Sequence, residues 1–197
     1  MDPVKQLVDA AEAYRQDGTP SLLLKGTPAV FTKMIESGAP NLYEDDQFVL
    51  YLNKGLPYPE LDDNAGMAFV HMLACPKERI YNAVTLRRSD VPLLEHMRDS
   101  VVNLVHMPEF REKVLLTLQQ KMPYIDERFS RDAEKFMYHT DGFDMEFYFH
   151  RHPNHSVGHL HMHCLTGNIR TNPAHDQKNY PLDRVISLLS ESPQVAL

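Results

Sequence analysis

Three histidines at alternate positions are the residues of this sequence whose types and spacing are best suited to chemistry. His159, His161 and His163 lie within the segment HSVGHLHMHCL, residues 155–165. Side chains at i, i+2 and i+4 of a β-strand share one face. The spacing therefore predicts a strand with three imidazoles on one side and the intervening apolar residues on the other. Such a row extends along about 13 Å of strand at ~3.3 Å per residue.

Imidazole chemistry allows three interpretations of this row. The first is a histidine-rich surface strand with no chemical role. The second is a metal site, because neutral imidazole is the commonest metal ligand, although a row of this length holds its three rings too far apart to reach one ion comfortably. The third is a histidine nucleophile flanked by groups that assist it, and the spacing favours this one. Three further histidines precede the row, at His150, His152 and His155.

Composition restricts the class of protein. The chain has 197 residues, 43% of them hydrophobic, and a formal net charge of −7, which predicts one domain with a terminal extension. The acidic balance argues against general nucleic-acid binding, which needs a basic surface. Cys75 and Cys164 each lie in an apolar run, as buried free thiols of a cytosolic protein do.

Targeting signals are missing from the sequence as given. Its start lacks the basic and apolar regions of a signal peptide, and its longest apolar runs fall well short of the ~20 residues of a membrane span. We therefore predict a cytoplasmic protein without a membrane partner.

Apolar periodicity and runs of β-branched or aromatic residues predict the elements that position these histidines. We expect strands over 48–53, 66–75, 143–150 and 158–166. We expect helices over 4–15 and 28–37, from Asp90 to about residue 106, from Pro108 to near Pro123, in part of 124–141, and over 181–189. The first two strands would pair as a long-looped hairpin, and pairing of the last two would bring His150 close to the histidine row.

The segment around the histidines resembles the signature of the histidine-triad (HIT) family, in which His-x-His-x-His is followed by two apolar residues. Ser156 and Val157 match the residues that precede the signature in several members, and His155 stands where those members have glutamine. A second segment, His71–Ile80 (HMLACPKERI), resembles the family's histidine, four apolar residues and Pro-Lys-x-x-Ile. The resemblance covers roughly residues 43–166.

One branch of this family is similar over a longer segment. The residues FYFHRHPNHSVGHLHMH resemble the catalytic part of the scavenger mRNA decapping enzymes, with His150 at the end of the strand before the triad. Those enzymes carry a sizeable N-terminal domain and stack the methylated guanine of the cap on tryptophan. This chain has a short N-terminal region and no tryptophan, which argues against cap hydrolysis.

The resemblance implies an α+β, HIT-like fold. We expect a mainly antiparallel sheet of about five strands with a packed long helix and extra N-terminal and mid-chain helices, in a homodimer. We predict an N-terminal helical extension over residues 1–40 and a HIT-like domain over residues 41–197, with a helical insertion around residues 108–142.

The resemblance also implies a role for each matching residue. His161 would be the nucleophile that attacks an α-phosphate and forms a nucleotidyl-histidine intermediate. His159 and His163 would flank it, one supporting its orientation and one contacting phosphate. Ser156 would bond an oxygen near the leaving group, and His71 would help to orient the triad.

Substrate binding would involve a second set of residues. Asn53 stands where family members have a polar residue that bonds the ribose hydroxyls. The predicted substrate-binding residues are Asn53, His150, His155, Phe48 and Leu50.

Together these features predict an enzyme, a nucleotide hydrolase or nucleotidyl transferase that acts on a nucleotide or nucleoside phosphate derivative. The scheme requires no cofactor and no metal. Two alternatives stay open at this point: a metal-dependent hydrolase that uses the same histidines, and a non-catalytic nucleotide-binding protein.

Overall fold

The computed structural model describes residues 30–58, 60–61, 66–138, 145–150, 157–167, 169 and 178–191, together with residues 13, 15 and 16. Its strands are β1 (Tyr43–Glu44), β2 (Phe48–Leu52), β3 (Val70–Pro76), β4 (Glu146–His150), β5 (Met162–Thr166) and β6 (Asn179–Pro181). Its helices are α1 (Val30–Glu36), α2 (Val91–His106), α3 (Pro108–Lys121), α4 (Glu127–Tyr138) and α5 (Leu182–Glu191).

The described strands form one open sheet in the order β1-β2-β3-β5-β4-β6, and all neighbouring pairs are antiparallel. This confirms the α+β fold class and the predicted hairpin of β2 with β3. The described sheet has six strands where about five were predicted, and its two edge strands, β1 and β6, have only two and three residues. Segments that short carry no periodicity that a sequence pattern can reveal.

The helices follow from their apolar stripes. In α2 the buried residues recur every three or four positions, at Leu94, Met97, Val101 and Val105, which is the spacing of one helix face. Proline occupies the first turn of both α2 and α3, where the absent N–H costs nothing. The helices predicted over 28–37 and after Asp90 are confirmed. Of the helix predicted over 4–15, only residues 13 and 15 are described, and both are helical.

The two faces of the sheet bury different clusters. One face, with Phe48, Leu50 and Met162, packs against residues from α2, α3, α4 and α5 in the main core. The opposite face buries a smaller cluster of Phe31, Val49, Tyr51, Leu73 and Cys75. We call this second surface the histidine face, because strand alternation places His71 and His163 on it. Helix α1 contributes Phe31 and therefore covers part of the histidine face.

The triad strand is shorter than predicted. It begins at Met162 rather than at residue 158, so His159 and His161 precede it. The N–H of Leu160 donates to the carbonyl of Ile80 at 2.7 Å, and this bond ties the segment to the loop after β3 rather than to a neighbouring strand. The row of imidazoles consequently bends at its start, and its three rings meet different surroundings.

Other predictions have separate outcomes. Both cysteines are buried free thiols, as expected. Among the described residues, no helix combines the length and the apolarity that crossing a bilayer requires. The division of the chain at residue 40 stays a prediction.

Candidate active site

His161 is held by a hydrogen bond to its own chain. Its Nδ1 lies 2.8 Å from the backbone carbonyl oxygen of His159. A carbonyl can only accept, so Nδ1 carries a proton, and in the neutral ring the lone pair lies on Nε2. A histidine nucleophile that attacks through Nε2 needs this tautomer.

His163 belongs to a chain of hydrogen bonds that begins at the backbone. The N–H of Met67 donates to His71 Nδ1 at 3.3 Å, and Asn53 Nδ2 lies 3.1 Å from the same nitrogen. His71 Nδ1 is therefore an acceptor, and the proton of a neutral His71 lies on Nε2. That proton is donated to His163 Nδ1 across 2.8 Å. The neutral His163 ring then carries its own proton on Nε2 and presents a donor.

His159 uses both ring nitrogens inside the protein. Its Nε2 lies 2.8 Å from the carbonyl oxygen of Pro76, and its Nδ1 lies 2.9 Å from the hydroxyl of Thr32. Burial lowers the pKa of His159, and the positive charge of Arg79 lowers it further, against the opposing effect of the Pro76 bond. The ring is therefore neutral near pH 7 and packs as part of the structure.

His150 joins the group from the end of β4. Its ring centroid lies 4.1 Å from that of His163 and 5.9 Å from that of His161. The β4–β5 pairing brings it there, as the sequence predicts. His150 and His161 also line a small cavity together with Asn82 and Phe149.

Three of these rings are close enough to be considered as metal ligands. One nitrogen each of His150, His161 and His163 lies within 4.8 Å of the others. A metal ion requires a lone pair from every ring that binds it. In the hydrogen-bond chain from Met67, the Nε2 of His163 carries a proton and its Nδ1 accepts from His71. This donor set does not fit a three-histidine metal site, because His163 has no lone pair to offer.

An apolar wall stands beside His161. The ring centroid of Phe31 lies 5.0 Å from that of His161 and 6.3 Å from that of Tyr51. Phe31 and Tyr51 were not among the predicted site residues. A signal for Tyr51 was present, because in FVLYLN it alternates with Leu50 and so faces the other side of the sheet.

The predicted place of Phe48 and Leu50 in the site needs correction. Both are fully buried and belong to the main core on the opposite face. The structure does not bring these two side chains to the histidine face, where Val49 and Tyr51 of the same strand lie instead. A shift of one residue along a strand changes the face.

The remaining predicted residues divide into two groups. His71 and Asn53 lie in the network around His163. Ser156 and His155 lie outside the described residues, so their roles stay predictions.

Comparisons with known proteins identify the family of this chain. Residues 29–173 match the family model described as scavenger mRNA decapping enzyme C-term binding. A solved structure that is similar is a HIT family hydrolase from Legionella pneumophila Philadelphia 1, at 19% identity, with a TM-score of 0.43, covering 74% of this chain and 98% of that chain. No curated protein matches. Because the family model matches well over half of the chain, the protein belongs to the histidine-triad superfamily, in the family of the scavenger decapping enzyme C-terminal domain.

Proposed function

We propose that the protein is a nucleotide hydrolase or nucleotidyl transferase in which Nε2 of His161 attacks an α-phosphate. The observation that carries the proposal is the 2.8 Å bond from His161 Nδ1 to the His159 carbonyl. This bond keeps the lone pair on Nε2 before attack. It also stabilises the positive charge that the ring acquires once Nε2 is bonded to phosphorus.

The reaction has two displacements. In the first, the bond from Nε2 to phosphorus forms while the bond from phosphorus to the leaving group breaks, and the leaving group departs with the electron pair and takes up a proton. In the second, water or another acceptor attacks phosphorus, loses a proton, and releases His161 with its lone pair restored. No metal enters either step.

His163 is suited to the developing charge on the phosphate. Its Nε2 proton is a donor, and the bond from His71 at 2.8 Å keeps it there. A donor that is fixed before the reaction stabilises a non-bridging oxygen without reorganising. His71 is then a positioning residue for His163.

The apolar wall supports a base-binding role. On the histidine face, Phe31 lies next to His161 and Tyr51 stacks on Phe31, and aromatic rings stack on nucleobases of any sequence. Asn53 stays our proposed ribose contact. The hydrogen bond between its side-chain amide and His71 connects that contact to the triad. Ser156 and His155 stay proposed contacts near the leaving group and substrate.

Trapping the intermediate tests this proposal. The wild-type protein is mixed with nucleoside phosphoramidates, dinucleoside polyphosphates and cap analogues, quenched with base, and examined by intact-mass and peptide mass spectrometry. We expect one nucleotidyl group on His161 and loss of both adduct and turnover in His161→Ala.

A matched control is His106→Ala, which removes an exposed histidine at the end of α2, on the helix-covered side of the sheet. It should turn over substrate like the wild type. Undiminished turnover by His161→Ala would show that another group performs the attack.

A further inference from the structure

Helix α1 reaches the triad through a hydroxyl group as well as through Phe31. The Oγ1 of Thr32 lies 2.9 Å from Nδ1 of His159, across 127 residues of sequence. We propose that Thr32 is a positioning residue for His161 and that it acts through His159. The kinetic part of this inference rests on the proposed function, whereas its structural part does not.

The direction of the Thr32 bond follows from the other side of the ring. Nε2 of His159 faces the carbonyl oxygen of Pro76 at 2.8 Å, and that oxygen can only accept. Nε2 therefore carries the proton, and in the neutral ring Nδ1 is an acceptor. The hydroxyl of Thr32 is the donor in this pair.

The ring of His159 is thus held from two elements at once. Thr32 on α1 holds one nitrogen and Pro76 at the end of β3 holds the other, and the residue is only 1% exposed. A ring fixed at both ends fixes the backbone that carries it. The next residue, Leu160, is anchored as well by its bond to Ile80 at 2.7 Å.

The backbone of His159 in turn orients the nucleophile. Its carbonyl oxygen is the acceptor for His161 Nδ1, so any rotation of that carbonyl turns the His161 ring. The path from Thr32 to Nε2 of His161 therefore runs through one side chain and one peptide group. Misplacement of a nucleophile by a fraction of an ångström is costly, because attack on phosphorus needs an aligned lone pair.

Solvent can replace the hydroxyl when it is removed. Thr32 and His159 both line a cleft of about 310 Å³, which Lys77 and Arg79 also line. In Thr32→Val, water from this cleft can reach Nδ1 of His159, and so no buried acceptor is left without a donor. Because valine has the shape of threonine, the variant should fold and lose only the fixed orientation.

The experiment compares Thr32→Val and Thr32→Ser with the wild type. We expect Thr32→Val to lower kcat about tenfold with KM changed by less than about twofold, since a supporting residue is lost without a substrate contact. Thr32→Ser keeps the donor and should restore kcat to within about twofold. The matched control is Thr117→Val, which removes an exposed hydroxyl that bonds the Lys113 carbonyl at 2.8 Å on α3.

A second measurement is independent of activity. Long-range proton–nitrogen NMR of the imidazole rings should find His159 protonated on Nε2 and His161 protonated on Nδ1 in the wild type. The signals of both rings should shift in Thr32→Val and stay in place in Thr117→Val. If the wild-type protein turns over none of the substrates, the proposed function is refuted but the role of Thr32 is not. The NMR signals of the two rings then test the role of Thr32 by themselves.

Two results would overturn the inference. One is a folded Thr32→Val protein whose ring signals, and whose kcat where turnover exists, equal those of the wild type. The other is a wild-type His159 protonated on Nδ1, because the hydroxyl would then accept rather than donate.

Discussion

At the scale of single residues, the arrangement of this site depends on where the protons of three imidazoles lie, those of His161, His71 and His163. Two backbone groups decide this. The carbonyl of His159 places the proton of His161 on Nδ1, and the N–H of Met67 makes Nδ1 of His71 an acceptor. From these two bonds follow a lone pair on His161 Nε2, the atom that we propose as the nucleophile, and a donor at His163 Nε2.

Removing His71 should affect the donor at His163 without changing the hydrogen bond that holds His161. In His71→Ala, the bond to His163 Nδ1 is lost, so the proton of His163 is free to move between its nitrogens. We expect kcat to fall about 10- to 100-fold with little change in KM, as for other residues that orient a catalytic group. Steady-state kinetics measure this, and His71→Gln should recover part of the loss because its amide can donate. A folded His71→Ala protein with wild-type kcat would contradict the role given to His71.

A methyl group at Gly66 should disturb the same residue. A Cβ there would lie 3.1 Å from Cβ and 3.2 Å from Nδ1 of His71, closer than ordinary van der Waals contact. Because Gly66 is held by its N–H bond to the Leu56 carbonyl at 2.9 Å, we expect His71 to move. Gly66→Ala should cost about 1–2 kcal/mol in the free energy of unfolding and lower kcat more than it raises KM. Urea denaturation and steady-state kinetics check this, and unchanged kcat would show that the neighbourhood adapts without moving His71.

At the scale of elements, helix α1 distinguishes the two faces of the sheet. Four helices pack on the main core, whereas α1 lies on the histidine face and supplies Phe31 and Thr32 to the site. The residues that we first predicted to form part of the site from β2, Phe48 and Leu50, point away from it. An element predicted as part of an N-terminal extension thus places Phe31 beside His161 and Thr32 beside His159.

The aromatic character of Phe31 should matter for binding. In Phe31→Leu the apolar volume is largely kept, but the ring 5.0 Å from His161 is lost. We expect KM for nucleotide substrates to rise about fivefold, the size of one aromatic stacking contact, with a smaller change in kcat. The control is Phe110→Leu, of similar burial at 7% exposed against 8%, in the main core. Equal KM changes in the two variants would show that Phe31 is not part of the substrate-binding surface.

At the scale of the whole molecule, the buried side chain of His159 makes the stability of the fold depend on pH. The pKa of His159 is lowered from 6.5 by burial and by Arg79, so the folded protein binds a proton at this site less readily than the unfolded chain does. Its contribution to stability is therefore present in full above the unfolded pKa, and is lost as pH falls through 6.5 toward the folded value.

This dependence of stability on pH can be measured by comparing the wild type with a variant that lacks the His159 imidazole. The free energy of unfolding should fall with decreasing pH below about 6.5, with a slope from this group of at most about 1.4 kcal/mol per pH unit. Urea denaturation between about pH 8 and pH 5 should show a smaller loss in His159→Gln, which has no imidazole to protonate. Parallel curves for the two proteins would show that His159 titrates alike in both states.

The assembly of the molecule stays a prediction. The family resemblance implies a homodimer, and sedimentation equilibrium of the full chain distinguishes a dimer from a monomer. The cytoplasmic location likewise stays a prediction.

The family and the fold class of this protein could be predicted from its sequence alone, because the residue patterns that indicate them are local. The alternating histidines, the segment His71–Ile80 and the helical stripes identified the family and the α+β fold, and the pairing of β4 with β5 followed from their spacing. Only the tertiary structure decided which nitrogen of each histidine carries a proton. Two of the bonds that hold these rings join His71 to His163 and Thr32 to His159 over 92 and 127 residues, and no local pattern encodes them. The alternation of Tyr51 with Leu50 is visible in the sequence, but which of the two faces of β2 lies beside the histidines was decided by the strands and helices that the fold brings together.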